Sequence, residues 1–182
     1  MRAVIFVKES IRLPGKHLLQ ICGEPMLERI YRILNETRFF EDVIVYSKYP
    51  KLEVKGLKIE RDRSEGVLID SIISAIENFG EFLAVGGDMP LIDTEVVSRL
   101  LNKYDGRPVA AMDSNGVLEP LFAIYNNTIY DKILEYSRNN RQIFPFLMQE
   151  FGLVTMSEEQ SARLFNVNTE RDFEEAKEAV IC

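Results

Sequence analysis

Cations and a glycine near the amino terminus could hold a chain of phosphates. The cations lie between positions 8 and 16: Lys8, Arg12 and Lys16. Gly15 directly precedes the last of them, and Asp88 follows the pair Gly86-Gly87 farther along the chain. Lysine and arginine donate charge-assisted hydrogen bonds to phosphate oxygens, and a carboxylate can hold Mg²⁺ against a bound phosphate. This combination indicates phosphoryl or nucleotidyl transfer.

Several common catalytic and nucleotide-binding motifs are absent from the sequence. It contains neither a Gly-x4-Gly-Lys-Ser/Thr phosphate loop nor a Gly-x-Gly-x-x-Gly dinucleotide fingerprint. The single histidine, His17, stands beside Lys16 and could touch a phosphate, but it is interpreted as a surface residue of a loop. One histidine and two cysteines exclude zinc clusters of the usual spacing. The chemistry is therefore assigned to carboxylates, lysine and arginine.

Composition and charge narrow the class of protein further. The chain of 182 residues is 46% hydrophobic, which is typical of a globular protein, and a single domain is predicted over residues 1–182. The net charge of −7 argues against nucleic-acid binding. The first apolar run is too short for a signal peptide or a membrane span. Because two cysteines, Cys22 and Cys182, are too few for a disulfide framework, we expect reduced thiols and a cytoplasmic protein.

Short β-branched runs alternate with amphipathic segments along the chain. Strands are predicted at Arg2–Val7, Val43–Tyr46, Leu57–Glu60, Phe82–Val85, Pro108–Met112, Leu118–Tyr125 and Leu153–Met156. Helices are predicted at 25–35, through Ile69–Ile76, from Asp93, at Thr128–Ser137, at Gln142–Phe151 and from Glu170. The turn Asp113-Ser-Asn-Gly116 indicates a hairpin. The pattern predicts a doubly wound α/β domain, with a mostly parallel sheet, helices on both faces and at least one antiparallel strand.

In such a sheet, ligands bind beyond the carboxyl ends of the strands. Residues that follow the predicted strands are therefore expected to share one edge: Lys8, Glu9, Ser10, Arg12, Gly15, Lys16, Ser47, Lys48, Arg61, Asp62, Arg63, Gly86, Gly87 and Asp88.

Four motifs resemble those of the molybdenum cofactor guanylyltransferases, a branch of the nucleotidyltransferase fold. The first is Arg12-Leu-Pro-Gly-Lys16, followed by Leu-Leu-x-Ile-x-Gly-x-Pro-Met-Leu27. The others are Gly87-Asp-Met-Pro-Leu-Ile92, Glu119-Pro-Leu-Phe-Ala-Ile-Tyr125 and Phe165-Asn-Val-Asn-Thr-Glu-Arg-Asp-Phe173. Because the motifs run through nearly the whole chain, the resemblance implies the family's fold throughout.

The resemblance also implies roles for individual positions. Lys16 and Arg12 are implied as the phosphate-contacting residues and Asp88 as the Mg²⁺ ligand, and these three as the catalytic set. The implied nucleotide-binding positions are Phe6, Val7, Lys8, Lys16, Ser47, Asp62 and Asp88. The implied acceptor-side positions are Arg141, Asn166 and Asn168. A carboxylate such as Asp62 accepts hydrogen bonds from both N1–H and N2–H of guanine, which favours GTP.

The implied activity is the Mg²⁺-dependent transfer of GMP from GTP to molybdopterin, with release of pyrophosphate. The implied partners are these small molecules and other molybdenum cofactor enzymes, without a nucleic acid or a membrane. One segment departs from the family, because Phe6-Val-Lys-Glu9 replaces its usual Leu-Ala-Gly-Gly. The motif Arg12-Leu-Pro-Gly-Lys16 is also similar to that of cytidylyltransferases that activate acidic sugars.

Three alternatives therefore stay open. The first is a cytidylyltransferase acting on an acidic sugar. The second is a guanylyltransferase with another acceptor, such as cobinamide phosphate or a phospholactate. The third is a nucleotide-binding regulator that has lost the chemistry.

Overall fold

The computed structural model of the protein describes residues 1–180. Its strands are β1 (Arg2–Val7), β2 (Gln20–Ile21), β3 (Glu24–Pro25), β4 (Val43–Ser47), β5 (Ile59–Arg61), β6 (Phe82–Gly86), β7 (Val109–Met112), β8 (Leu118–Tyr125) and β9 (Gly152–Thr155). Its α-helices are α1 (Met26–Glu36), α2 (Leu68–Phe79), α3 (Thr94–Leu101), α4 (Tyr130–Ser137), α5 (Phe144–Glu150), α6 (Glu158–Arg163) and α7 (Glu170–Ala179).

Seven strands form one sheet in the order β5-β4-β1-β6-β8-β7-β9. Strand β8 is antiparallel to both of its neighbours, and the other pairings are parallel. Gly116 adopts a φ of 84° in the turn that joins β7 to β8, as the hairpin prediction requires. The predicted fold class, a mostly parallel sheet with at least one antiparallel strand, is confirmed.

Helices cover both faces of the sheet, and β1 shows why its sequence is apolar at nearly every position. Ala3, Ile5 and Val7 belong to the core cluster that contains residues of α1, α3 and α7. Val4 and Phe6 point the other way, into the cluster that contains residues of α2, α4 and α5. A strand that is buried on both faces reads as a continuous hydrophobic run.

The strand register brings the carboxyl ends of the central strands to one level. Val7 lies beside Ser47 of β4, and Phe6 lies beside Gly86 of β6. Ser47 in turn lies beside Arg61 of β5. The loops that leave these strands therefore emerge together at one edge of the sheet.

Two elements escaped prediction for physical reasons. Helix α6 buries none of its residues, so it lacks a hydrophobic period, and its start is set by a capping box between Ser157 and Gln160. The β2–β3 ribbon pairs only two residues on each side. The segment 165–168, which begins the last of the four motifs, forms no regular strand or helix.

The expectation of reduced thiols is wrong at Cys22, which is disulfide-bonded in the structure. Cys182 lies outside the described residues. Between residues 1 and 180, no helix has both the length and the apolar character needed to cross a membrane.

Candidate active site

A cavity of about 570 Å³ opens at the carboxyl edge of the central strands. Predicted site residues that line it are Phe6, Val7, Lys8, Arg12, Lys16, Asp62, Asp88 and Asn168. They come from five separate stretches of the chain, which only the sheet topology brings together. This grouping places the predicted phosphate-binding cations and the predicted carboxylate in one cavity.

Lys16 is the most highly connected of these residues. It is only 5% exposed, and its ammonium donates to Asp88 Oδ2 at 2.7 Å, to the Val167 carbonyl at 2.7 Å and to Asn168 Oδ1 at 3.3 Å. An ammonium has three donors, and all three are used here. Lys16 therefore ties the loop after β6 to the segment before α7.

The local backbone explains how Lys16 reaches inward. Gly15 has a left-handed φ of 70°, which glycine adopts without steric cost, and a 3₁₀ turn, Lys16–Leu18, follows at once. Leu18 N–H donates to the Gly15 carbonyl at 2.9 Å and closes the turn. The turn buries the side chains of both Lys16 and His17.

The interpretation of His17 as a surface residue is wrong. Its side chain is 4% exposed, with Nδ1 at 2.8 Å from the Gly87 carbonyl oxygen and Nε2 at 3.1 Å from the Lys8 carbonyl oxygen. No pattern in the sequence indicates this burial, because the partners are main-chain carbonyl oxygens of the loops that leave β1 and β6.

Gly87 is required by close packing between the loop after β6 and the end of β1. A Cβ atom at this position would lie 2.6 Å from Cγ2 of Val7 and 3.1 Å from the Phe6 carbonyl oxygen. The Gly87 N–H donates to that same carbonyl at 2.9 Å. A side chain here would push Asp88 out of place, since neither neighbour is the far end of a flexible side chain.

Asp62 lines another part of the cavity and is 6% exposed. Its Oδ1 accepts from Ser64 N–H at 2.8 Å, and its Oδ2 lies 3.9 Å from the Lys48 ammonium. Lys48 donates instead to the Gly66 carbonyl at 3.0 Å. The carboxylate thus retains unused acceptor capacity beside a cation.

The cavity also has lining residues that the sequence analysis did not single out: Ile11, Tyr46, Gly66, Val67, Leu68, Ser71 and Leu121. Gly66 and Val67 lead into α2, and Leu68 and Ser71 lie in its first turn; the position of this helix after a predicted strand was the one available signal. The apolar members give this cavity a surface suited to a planar ring.

Three predicted site residues do not line the cavity. Ser47 is 2% exposed, and its hydroxyl bonds to the main chain of Tyr49. Arg141 forms a two-pronged ion pair with Asp70, at 3.1 and 2.7 Å. Asn166 Nδ2 contacts Glu119 Oε2 at 3.5 Å. Arg141 therefore stands near the start of α2, apart from the partners of Asn166 and Asn168.

Asp172 fixes the backbone of Asn168, which lines the cavity. Its Oδ2 accepts from the N–H groups of Asn168 and Thr169, at 2.9 and 2.8 Å, in a capping box that starts α7. These hydrogen bonds, led by that from Asn168, and the nearby charge of Arg12 lower the pKa of Asp172. The pattern Thr169-x-x-Asp172 was the sequence signal for this role.

Glu119, at the start of β8, is a second carboxyl group near Asp88. Burial is the main cause that raises its pKa to about 7; the charges of Asp113 and Asp88 contribute to the increase, and the hydrogen bond from Asn166 opposes it. Glu119 lies in one of the four motifs, but the resemblance assigned it no role.

The residues around Lys16 also suit a divalent cation. Carboxylate, amide and carbonyl oxygens already surround one positive charge there, and Mg²⁺ prefers such hard oxygen ligands. Among residues 1–180, no three His, Cys, Asp or Glu side chains gather into a metal-binding group. Asp88 therefore fits a Mg²⁺ ion that takes its remaining ligands from substrate phosphates and water.

An open sheet whose central strands end at a cavity lined by cations and carboxylates is an arrangement that α/β proteins use to bind phosphate compounds. The profile of the MobA-like NTP transferase domain family matches residues 12–151, and the chain belongs to this family of nucleotidyltransferases.

A curated relative and two solved structures are similar to the chain over most of its length. The chain is 28% identical, over 184 residues and 94% of each sequence, to the "Probable molybdenum cofactor guanylyltransferase" of Thermococcus sibiricus. Its fold is similar to that of molybdopterin-guanine dinucleotide biosynthesis protein A from Archaeoglobus fulgidus, with a TM-score of 0.70 and 22% identity over 97% of each chain. It is also similar to that of a CMP:2-keto-3-deoxy-manno-octonic acid synthetase solved with CTP, with a TM-score of 0.72 and 16% identity over 98% of this chain and 97% of the other.

Proposed function

We propose that the protein transfers GMP from GTP to the terminal phosphate of molybdopterin and releases pyrophosphate. The observation that carries the proposal is the convergence of Lys16, Asp88 and Asn168 at one end of a cavity that Asp62 lines elsewhere. Family membership supports the nucleotidyl transfer, and the names of the relatives support the acceptor.

The reaction needs no covalent enzyme intermediate. An oxygen of the acceptor phosphate forms a bond to the α-phosphorus of GTP, and the bond from that phosphorus to the bridging oxygen of pyrophosphate breaks. The attacking phosphate is already anionic, so the protein has to bring two anions together and neutralise the charge that develops. Lys16 and Arg12, which both line the cavity, supply positive charge for this purpose.

Lys16 must exchange partners when the nucleotide binds. Its three donors are engaged with protein oxygens, so a phosphate oxygen has to replace at least one of them. The Asp88 side chain is 22% exposed and can turn toward solvent or a cation, whereas the Val167 carbonyl belongs to the buried main chain. We therefore expect the Asp88 bond to be the one exchanged.

Asp88 and the amide oxygen of Asn168 would hold Mg²⁺ in this scheme. When bound, the ion would neutralise charge on the phosphates and keep them oriented for the transfer. Asp172 accepts a hydrogen bond from the Asn168 N–H. This bond fixes the backbone that carries the side-chain amide of Asn168.

Asp62 is proposed to select guanine. Its unused acceptor capacity suits the adjacent N1–H and N2–H donors of that base, and the Lys48 ammonium beside it can donate to an acceptor on the same edge. The motif Arg12-Leu-Pro-Gly-Lys16 favours CTP instead, because it is similar to that of cytidylyltransferases and follows a Lys8-Glu9 pair in place of the family's glycines.

A calorimetric titration with GTP, CTP and ATP, each with and without Mg²⁺, tests the proposal. Selective GTP binding that Mg²⁺ strengthens would support it and would justify adding molybdopterin and measuring pyrophosphate release. Preference for CTP would assign a cytidylyltransferase. GTP binding without pyrophosphate release in the presence of molybdopterin would point to another acceptor or to a regulator without the chemistry.

A further inference from the structure

His17 is a buried side chain that the proposed reaction does not use. Both of its ring nitrogens contact main-chain carbonyl oxygens, that of Gly87 at 2.8 Å and that of Lys8 at 3.1 Å. The two carbonyls belong to the loops that leave β6 and β1, which are the two loops that supply Asp88 and Lys8 to the cavity.

The donors and acceptors of an imidazole limit the forms of the ring that can satisfy both contacts. A carbonyl oxygen can only accept, and a neutral imidazole donates from one nitrogen while the other carries a lone pair. A neutral ring would therefore direct a lone pair at one of the two oxygens within a buried site. Only the imidazolium form donates to both.

We infer that His17 is a positioning residue, an imidazolium that clamps the loop after β1 to the loop after β6. The ring touches no reacting atom, and it acts through the main chain on either side. Gly87 N–H donates to the Phe6 carbonyl while the Gly87 carbonyl accepts from the ring, so the residue before Asp88 is held through both of its main-chain polar groups.

The clamp also explains how the first loop is ordered without the family's glycines. Lys8 and Glu9 have side chains and no left-handed φ, and the ring fixes the direction of the Lys8 carbonyl. The charged side chains that share the cavity lining with the ring are Lys8, Glu9, Arg12, Lys16, Lys48, Asp62 and Asp88. Cations outnumber carboxylates in this lining, although the whole chain has a net charge of −7. The clamp would therefore hold together an electropositive surface for a polyphosphate.

A spectroscopic test uses the fact that the chain has one histidine. Nitrogen-15 labelling of histidine yields a single imidazole, whose long-range ¹H–¹⁵N correlations distinguish the imidazolium from either neutral tautomer. For the folded wild-type protein at neutral pH, we expect two protonated ring nitrogens, both protected from solvent exchange. A neutral ring with a single N–H would overturn the inference.

Two substitutions separate the two halves of the clamp. The amide nitrogen of asparagine takes the place of Nδ1, and that of glutamine takes the place of Nε2, so His17→Asn keeps the Gly87 bond and His17→Gln keeps the Lys8 bond. The measured quantity is the affinity for GTP with and without Mg²⁺. This measurement rests on the proposed function.

The two variants are expected to fail in different ways. His17→Asn should weaken GTP binding about tenfold in the absence of Mg²⁺, and it should keep the strengthening that Mg²⁺ provides. His17→Gln should bind GTP alone as the wild type does and lose most of that strengthening. If both variants lower only the melting temperature and bind GTP like the wild type, the ring has a merely structural role. If the wild type binds no nucleotide, the proposed function fails, and the imidazole spectrum alone decides the clamp.

Discussion

The two ends of the cavity are built differently. The lysine end, which comprises Lys16, His17, Gly87, Asp88 and Asn168, is joined by hydrogen bonds between residues 70 to 152 positions apart in the chain. The Asp62 end, which comprises Lys48, Asp62, Ser64, Val67 and Ser71, has mainly local contacts. Its ion pair is 3.9 Å long, and its serine hydroxyls lie 3.4 Å apart.

The difference separates two tasks. At the lysine end, donors and acceptors are matched to one another before any ligand arrives, as electrostatic catalysis requires. At the Asp62 end, a buried carboxylate keeps acceptor capacity that a ligand can use. We interpret the first as the end that performs the chemistry and the second as the end that selects the base.

Removing Lys16 or Asp88 should break the lysine end. Lys16→Ala and Asp88→Ala are each expected to slow pyrophosphate release, because one preorganised charge is lost. The expected loss of transition-state stabilisation is about 2–4 kcal/mol. Circular dichroism should show that both variants fold. Lys177→Ala, which removes an exposed ion pair with Glu174, is the matched control and should react like the wild type. Wild-type turnover by Lys16→Ala would show that the buried ammonium is only structural.

Adding one methyl group at Gly87 should separate the loops without removing any charge. The new Cβ would lie 2.6 Å from Val7 Cγ2, so Gly87→Ala is expected to lower the free energy of unfolding by about 1–3 kcal/mol and to reduce turnover. Gly152→Ala is the control, since its Cβ would be 3.2 Å from Val109 Cγ1 and remote from the cavity. Equal losses of turnover in the two variants would argue against a specific need for glycine at position 87.

The pH dependence of stability tests the electrostatics beside Asp88. Burial raises the pKa of Glu119 from 4.5 to about 7, so the folded protein holds this proton more tightly than the unfolded chain. The free energy of unfolding should therefore decrease as pH rises from about 4.5 to 7, and Glu119 should contribute no further change above that range.

Glu119→Gln should remove this contribution. The variant is expected to be more stable than the wild type at pH 8 by about 1–2 kcal/mol, with the partial exposure of the side chain taken into account, and equally stable near pH 4. Urea unfolding at both pH values measures the difference. An unchanged difference across the range would show that Glu119 stays ionised in the folded protein.

Asp62→Asn should disturb the Asp62 end alone. The amide keeps one acceptor but places a donor beside Lys48, so GTP affinity is expected to decrease about tenfold while ATP affinity changes less. Ser47→Ala is the matched control, because Ser47 is the last residue of the adjacent strand β4 but does not line the cavity. A parallel loss of affinity for GTP and ATP would remove the assignment of Asp62 to base selection.

The sequence predicted the fold and the grouping of Lys16 with Asp88, but it did not predict the buried hydrogen bonds and close contacts around them. Continuous apolar runs marked β1, β4 and β6, and the rule that ligands bind at carboxyl ends then grouped Lys16 with Asp88. The burial of His17 could not be predicted, since its partners are carbonyl groups that every residue carries. The same limit applies to Gly87. Only the folded structure shows that the loop after β6 lies too close to the end of β1 for a side chain at this position.

Arg141 differs from His17, because the resemblance implied an acceptor-side role for it and the structure shows an ion-pair partner for its charge. Its ion pair with Asp70 is 57% exposed on the arginine side, and Asp70 also caps α2 by accepting from Val67 N–H at 2.8 Å. Arg141→Ala should therefore change the free energy of unfolding by no more than about 1 kcal/mol, because exposed ion pairs contribute little and the cap stays in place.

The same variant decides whether Arg141 also serves the acceptor. We expect GTP affinity to stay within about twofold of the wild type, since the guanidinium does not line the cavity. Steady-state kinetics with molybdopterin as the varied substrate provides the second measurement. A raised KM for molybdopterin with unchanged GTP affinity would assign Arg141 to the acceptor and extend the reacting surface past the start of α2. An unchanged KM would leave it a surface ion pair, and acceptor binding would then rest on the lysine end, which includes Asn168, and on Asn166.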